Sequence, residues 1–230
     1  MTLTSSRLTA AAGVCAAVAG ALYAGVQINH PPADLAHITT VDFRFREIAK
    51  MTMAALTIAG LTGMMVRNRH KFGVLGIVGY VAVVIGYFAM FANQVIVACV
   101  LPTLSETDPG YVQAYLDAAL AKTSGAELGA VQTLFMVTGM GYSIGGLLFG
   151  IALFRAGILP RWASLLFSYG TVSALALAVL PQSFNRPFAV PVGVALVGLG
   201  VSLWATRTED TATTAHITST AGSSHEPVGR

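Results

Sequence analysis

The sequence has 230 residues, of which 55% are hydrophobic and only 10% are charged. An ordinary soluble domain has about 45–50% apolar and about 25% charged residues, so this composition excludes that class and indicates a membrane protein. The formal net charge of +3 comes without a basic stripe interleaved with aromatic residues, so nothing in the sequence indicates nucleic-acid binding.

Six apolar segments follow one another along the chain, each near the roughly 20 residues that cross a bilayer as a helix. They cover residues 8–28, 48–66, 73–100, 128–154, 162–181 and 188–206. Backbone polar groups must be paired within each segment in lipid, so helices are expected. The predicted fold class is all-α: a polytopic membrane bundle of six transmembrane helices over residues 1–207, followed by a disordered cytoplasmic tail over 208–230.

The first segment also resembles a signal peptide, because Arg7 precedes a long apolar run that ends in small residues. The run leads into further spans, so a retained first helix is the preferred interpretation. The two cysteines, Cys15 and Cys99, fall inside predicted helices without metal-type spacing, and we interpret them as small apolar residues.

Basic residues are distributed unevenly between the two ends of the predicted helices. One side carries RNRHK at 67–71 together with Arg7, Arg155, Arg161 and Arg207, whereas most acidic residues fall on the other side. The positive-inside rule therefore places both termini in the cytoplasm. The polar stretch 26–50 is then expected to face outward.

The stretch DFRFRE, residues 42–47, alternates like a strand, but an open strand edge beside lipid is implausible. We therefore expect a second helix to begin near Thr40. Asp42 and Arg46 would then form a pair four residues apart on one helix face.

A short interfacial helix is predicted near 109–121, because Asp108 followed by Pro109 is a typical helix start. Two roles are open for this helix: it covers the bundle, or it acts as a lid. Further along, the small residues Gly141 and Gly145 are expected to allow close packing of the fourth predicted helix.

Polar and aromatic side chains recur on single faces of three predicted helices, near their outer ends. Such stripes suit the lining of a site for a hydrophobic small molecule or lipid, although an aromatic stripe in a membrane bundle more often reflects simple packing. The candidate substrate-binding residues are Tyr23, Gln27, His30, Tyr87, Phe91, Gln94, Phe135 and Tyr142.

Glu47 and Glu127 are the candidate catalytic acids, because both are expected near the hydrocarbon boundary, where ionisable groups are costly. A carboxyl group that is partly desolvated tends to keep its proton near neutral pH, as a general acid must. The alternative for Glu47 is an exposed interfacial ion pair with Lys50.

A zinc site is conceivable at His30, Asp34 and His37, whose offsets of 4 and 7 would align on a helix. Pro31 and Pro32 break that helix, and no further ligand is evident. No GxSxG, Walker-type, Rossmann or HExxH pattern occurs in the chain. We therefore predict neither a metal nor another cofactor.

The run GGLLFGIALFRAGILPRWASLL, residues 145–166, resembles the segment between the fourth and fifth helices of a large family of uncharacterised six-helix bacterial membrane proteins. The resemblance covers most of the chain in layout and this run in detail. It implies the six-helix architecture and carries no activity.

In size, helix number and boundary acids, the chain also resembles the small integral-membrane terpene cyclases, without a shared motif. Those enzymes are thought to protonate an alkene or epoxide and to guide the carbocation through an aromatic pocket. The resemblance implies an acid at Glu47 or Glu127, and a lining that includes Tyr87, Phe91, Phe135 and Tyr142.

The expected function is therefore acid-initiated cyclisation of a lipidic, isoprenoid substrate by a membrane-embedded enzyme. The alternative is a protein without enzymatic activity, either a small-molecule transporter or an accessory subunit whose glycine faces join a second copy or a partner. Charged residues are scarce near the middle of the predicted spans, which argues against ion-coupled transport.

Overall fold

The computed structural model describes residues 5–120, 122, 127–176 and 189–206, and within these ranges all regular structure is helical. Two π-helical turns, Ile96–Val100 and Gly141–Gly145, each join two consecutive α-helices. The all-α prediction is confirmed, whereas the predicted tail at 208–230 lies outside the described residues. In chain order the helices are α1 (Ser5–Gly25), α2 (Val41–Val95), α3 (Leu101–Leu104), α4 (Pro109–Ala119), α5 (Ala130–Met140), α6 (Gly146–Ala156), α7 (Arg161–Ala176) and α8 (Ala189–Thr206).

Four helical stretches in the described ranges are long and apolar enough to cross a membrane. They are Ser6–Gly25, Val41–Leu104, Ala130–Ala156 and Ala189–Thr206. Helix α7 is described over 16 residues, and the end of its predicted span, 177–181, lies outside the described residues. The chain therefore has the helix lengths and apolarity of a membrane protein.

Helix α2 is broken at Gly73, whose backbone has φ 57° and ψ −166°, a conformation that glycine adopts without a Cβ clash. Thr62 Oγ1 lies 2.9 Å from the Tyr80 hydroxyl. Eighteen residues of straight helix would separate these two groups by about 27 Å. The two arms of α2, residues 41–72 and 74–95, therefore fold back on each other.

Two predicted boundaries are corrected. Helix α1 ends at Gly25, short of the predicted 28, and a turn follows in which Asn29 has a φ of 52°. The prediction that His30 continues the helical face of Tyr23 is therefore wrong, because the left-handed Asn29 and the prolines after it turn the chain. The run 67–71, expected between two helices, is helical because the break comes only at Gly73.

The predicted starts of α2 and α4 are both confirmed. Helix α2 begins after Thr40, whose hydroxyl accepts a hydrogen bond from the backbone N–H of Phe43 at 3.3 Å. Helix α4 begins at Pro109, and the carboxylate of Asp108 accepts from the backbone N–H of Tyr111 at 2.9 Å. In both cases a side chain satisfies a backbone donor that the first helical turn leaves free.

Glycines allow the helix backbones to approach closely, as the sequence predicts. A Cβ on Gly145 would lie 2.6 Å from the carbonyl carbon of Ala82 in α2, closer than real Cβ contacts come. A Cβ on Gly20 of α1 would similarly meet the backbone of Gly193 in α8. These contacts bring α1, α2, α8 and the second π-helical turn together without intervening side chains.

Buried apolar side chains form two clusters. The inner core joins the long helices and includes Tyr23, Met53, Tyr87 and Tyr142. The second cluster, which we call the outer core, joins α4 to the start of α2 and to the first π-helical turn, and includes Phe43, Val97, Tyr115 and Leu116. The candidate site lies where these two clusters meet.

Candidate functional site

A cavity of about 420 Å³ lies at the junction of the inner and outer cores. Its volume is in the range of sites for small organic ligands. Most of its wall is apolar, with methionine and aromatic side chains from α1, α2, α4 and α5. Polar groups interrupt this wall on several elements: Gln27, Glu47, Lys50, Asn93, Gln94, Tyr115 and Thr138.

The structure brings most of the predicted site residues to this cavity. Those that line it are Tyr23, Gln27, Glu47, Gln94, Phe135 and Tyr142. Four others lie outside the lining that the described residues form: His30, Tyr87, Phe91 and Glu127. Glu127 is exposed to solvent, so the structure does not place the two predicted acids together.

Glu47 is 2% exposed and combines the two alternatives that its sequence context left open. Its carboxylate lies in the cavity wall, and its Oε1 atom is also 2.5 Å from Lys50 Nζ. The start of α2 at Thr40 places both residues on the face of the helix that turns towards the bundle. Glu47 and Lys50 therefore form a buried ion pair, whereas the sequence predicted either an isolated acid or an exposed pair.

His30 supplies the second partner of Glu47, although the two side chains come from different elements. His30 Nδ1 lies 2.7 Å from the carbonyl oxygen of Pro31, which can only accept, so Nδ1 carries a proton. Nε2 of the same ring lies 3.3 Å from Glu47 Oε1. A proton bound to either of these two atoms would join them by a hydrogen bond.

Arg46 holds the turn that carries His30 against α2. Its Nη1 donates to the carbonyl oxygens of Ile28, at 2.7 Å, and Val26, at 3.3 Å. Its Nε lies 3.1 Å from Asp42 Oδ1, which confirms the predicted Asp42–Arg46 pair. Arg46 thus satisfies carbonyls that the end of α1 leaves free and fixes where the imidazole stands.

A chain of hydrogen bonds joins three elements at the cavity wall. The Tyr115 hydroxyl in α4 donates to Asn93 Oδ1 at 3.1 Å, and Asn93 Nδ2 donates to Thr138 Oγ1 of α5 at 2.9 Å. Burial raises the pKa of the Tyr115 hydroxyl, so this group remains a donor across the physiological range. Sequence reasoning missed Tyr115 as a site residue, and the one available signal was its place on the apolar face of a short amphipathic helix.

Tyrosines form the inner end of the site. The Tyr23 hydroxyl donates to the Tyr142 hydroxyl at 3.0 Å, and the ring of Tyr87 meets that of Tyr142 edge to face with centroids 5.6 Å apart. Tyr87 is fully buried behind this pair, and Phe91 packs against the inner core. Both therefore support the wall from behind, whereas the sequence placed them in it.

Each π-helical turn contributes to the cavity. Val97 of Ile96–Val100 lines it, as do Tyr142 and Ser143 of Gly141–Gly145. A π-helical turn inserts one residue into an α-helix, which redirects the side chains around it, and such turns are frequent at functional sites. The two turns aim these side chains at the same space from opposite helices.

The segment between α1 and α2, residues 26–40, separates the two histidines that were considered as zinc ligands. His37 Nδ1 lies 2.7 Å from Asp34 Oδ1, whereas His30 faces Glu47. The hydrogen bond from His37 lowers the pKa of Asp34 below its ordinary value. Within the described ranges, no three His, Cys, Asp or Glu side chains converge in a way that would hold a metal ion.

The fold and site together define a helical protein with membrane-spanning helix lengths and a largely apolar cavity, in whose wall the buried Glu47 contacts Lys50 and His30. Comparison of the chain with protein-family models, with curated proteins and with solved structures gives no match. The resemblances to six-helix bacterial membrane proteins and to membrane terpene cyclases therefore stay predictions. The function has to be argued from the site itself.

Proposed function

We propose that this chain is a membrane-embedded enzyme that binds a lipidic, isoprenoid substrate in the cavity and starts its cyclisation by proton transfer from the His30–Glu47 pair. The observation that carries the proposal is the position of Glu47. Its carboxyl group is buried in a largely apolar ligand-sized cavity, 3.3 Å from an imidazole whose other nitrogen is already protonated. Such a pair is a proton source shielded from bulk water.

The proposal includes six membrane spans. The stretch Val41–Leu104 has 64 residues and would be about 96 Å long as one straight helix, against about 30 Å of hydrocarbon. The break at Gly73 lets its two arms cross in opposite directions. With α1, α5–α6, α7 and α8, this gives six crossings and both termini in the cytoplasm, with Arg155 and Arg161 on that side.

The cavity is then near the outer surface, within reach of molecules that partition into lipid. A proton from the pair adds to a terminal alkene of the substrate, whose π electrons form the new C–H bond and leave a tertiary carbocation. The π electrons of a second alkene close the ring. Loss of a proton from a neighbouring carbon returns that proton to the pair, so the reaction is an isomerisation without net oxidation or reduction.

Aromatic side chains suit the cationic stage of this reaction. Tyr142, Tyr23 and Phe135 line the cavity, and aromatic faces stabilise cations by roughly 0.5–2 kcal/mol each. The apolar remainder of the wall limits capture of the carbocation by water.

The Glu47–Lys50 ion pair favours a second candidate function. A carboxylate that is already paired with an ammonium group is better suited to contacting a ligand than to donating a proton. In that case the cavity holds a ligand without converting it, as in a transporter or an accessory subunit. Turnover distinguishes the two functions.

The test uses the full chain in lipid nanodiscs, with farnesol and geranylgeraniol as linear substrates in D₂O. The expected result is a cyclic isomer that carries one non-exchangeable deuterium, detected by gas chromatography with mass spectrometry. Glu47→Gln is expected to lower the rate at least about 100-fold, which is the usual contribution of a general acid. Glu127→Gln serves as the matched control, because it makes the same change at the other predicted acid, whose side chain is exposed.

A folded Glu47→Gln protein that keeps the wild-type rate would overturn the role of Glu47. Glu47→Gln also leaves Lys50 without its carboxylate, so the double variant Glu47→Gln/Lys50→Met is measured beside it. Absence of turnover with both isoprenoids, together with saturable binding, would favour the binding function.

A further inference from the structure

The side-chain amide of Gln94 stands in the cavity wall without a hydrogen-bond partner. Gln94 lines the cavity from the second arm of α2, and its Oε1 atom is buried and accepts no hydrogen bond. Its amide nitrogen likewise has no bond to any described residue. A ligand that displaces water from this amide without replacing its hydrogen bonds leaves a polar group unpaired, which weakens binding.

Neighbouring polar groups of the cavity do not satisfy this amide. Asn93 is committed to Tyr115 and Thr138, and Glu47 Oε1 is occupied by Lys50 and faces His30. The Gln27 amide also lines the cavity and bonds to no side chain within the described ranges. Two amides are therefore left for something that enters the cavity.

We infer that the ligand of this cavity is an isoprenoid alcohol and that Gln94 binds its hydroxyl group, with Gln27 as the second polar contact. A hydroxyl group both donates and accepts, so it satisfies the amide in either orientation about its last side-chain bond. A pure hydrocarbon would fill the apolar wall but leave the amide unpaired. The inference rests on the proposed isoprenoid substrate, and it concerns binding instead of turnover.

A site built to bond a hydroxyl group discriminates against the analogue that lacks it, because the polar group of the site is then left unpaired. The expected preference for an alcohol over the matched hydrocarbon is about tenfold in affinity, which corresponds to about 1.4 kcal/mol for one unpaired polar group. Partition into lipid favours the hydrocarbon, so affinities are compared after correction for uptake by empty nanodiscs.

The test measures binding of farnesol and of farnesene, its hydrocarbon counterpart, to the full chain in nanodiscs, by quenching of intrinsic fluorescence. We expect wild type to bind farnesol about tenfold more tightly. Gln94→Leu is expected to remove this preference by weakening farnesol alone. Gln132→Leu makes the same chemical change at an exposed position of α5 outside the cavity lining, and it should keep the preference.

Equal affinity of wild type for the two compounds, or binding of neither, would overturn the inference without recourse to any variant. A Gln94→Leu protein that folds and keeps the preference would overturn the role of Gln94. A preference for farnesol without turnover would support the inference while contradicting the proposed enzyme. Turnover of farnesene at the rate of farnesol, with equal affinities, would contradict the inference while supporting the enzyme.

Discussion

Tyr115 in α4 donates a hydrogen bond to Asn93 in α2 at 3.1 Å, and both side chains are buried at the cavity wall. The helix that carries Tyr115 packs on the outer core. This bond is therefore a polar link between a short covering helix and the long helices beneath it. The apolar contacts of Val112 and Leu116 supply the rest of the attachment.

Removal of this bond should loosen α4. Tyr115→Phe keeps the ring and its edge contact with Phe135 but leaves Asn93 Oδ1 without its donor, at an expected cost of about 1–2 kcal/mol. Hydrogen exchange of the α4 amides should accelerate about 5- to 30-fold if the helix opens locally. Tyr111→Phe changes a hydroxyl of the same helix that makes no hydrogen bond to a described residue. Equal exchange rates in the two variants would contradict the role of the bond.

Close packing at the second π-helical turn should be intolerant of one added methyl group. Gly145→Ala would press a Cβ against backbone atoms of Ala82 and Val83, which cannot rotate away, so we expect a loss of about 1–3 kcal/mol or more in unfolding free energy. Gly139→Ala lies in the same helical stretch with open space around the glycine. It should be neutral or stabilising by about 0.5–1 kcal/mol. Thermal unfolding in detergent measures both, and similar melting temperatures would contradict the packing argument.

Local chemistry in the sequence was enough to predict the helix starts. Thr40 and Asp108 are good caps wherever they occur, and apolar length reports the long helices directly. The end of α1 was missed because four residues after Gly25 are compatible with a helix until the left-handed Asn29 is known. Turn conformation at one residue decides where His30 lies.

The composition of the cavity was less predictable, because its polar wall is assembled from residues far apart in the chain. Asn93, Tyr115 and Thr138 are bonded through separations of 22 and 45 residues, and no spacing in the sequence encodes them. Gln94 could be predicted because it lies on a polar stripe near a helix end, and Glu47 because an ionisable group near the hydrocarbon boundary is costly. Lys50 was recognised only as an alternative partner of Glu47, since a one-dimensional pattern does not distinguish an exposed pair from a buried one.

The stability of the segment between α1 and α2, residues 26–40, should depend on pH with a defined sign. The hydrogen bond from His37 lowers the pKa of Asp34 below the ordinary value of about 3.9. It therefore stabilises the folded loop above that value, and the stabilisation is lost as the pH falls through the lower folded-state pKa. Carbon-13 NMR of the labelled carboxyl group should give a midpoint below 3.9 in wild type. His37→Ala should return the midpoint to the ordinary value, and an unchanged midpoint would contradict the assigned cause.

Removing one member of the Glu47–Lys50 ion pair should lower the unfolding free energy strongly, whereas replacing both members by uncharged residues should lower it little. Lys50→Met leaves a carboxyl group that is 2% exposed without its ammonium partner, and removal of one member of a buried pair costs about 3–5 kcal/mol. We expect the lower end, about 3 kcal/mol, because the Lys50 side chain is 21% exposed and His30 still faces the carboxyl group.

Glu47→Gln/Lys50→Met removes both charges and should recover most of that loss, since two groups of similar size then fill the same space. The unfolding free energies of the single and double variants form a double-mutant cycle that isolates the pair. A Lys50→Met protein within about 0.5 kcal/mol of wild type would mean that the carboxyl group does not need its cation. In that case the acid role of Glu47 would be favoured over the binding role, because a neutral carboxyl group loses little when an ammonium group is removed.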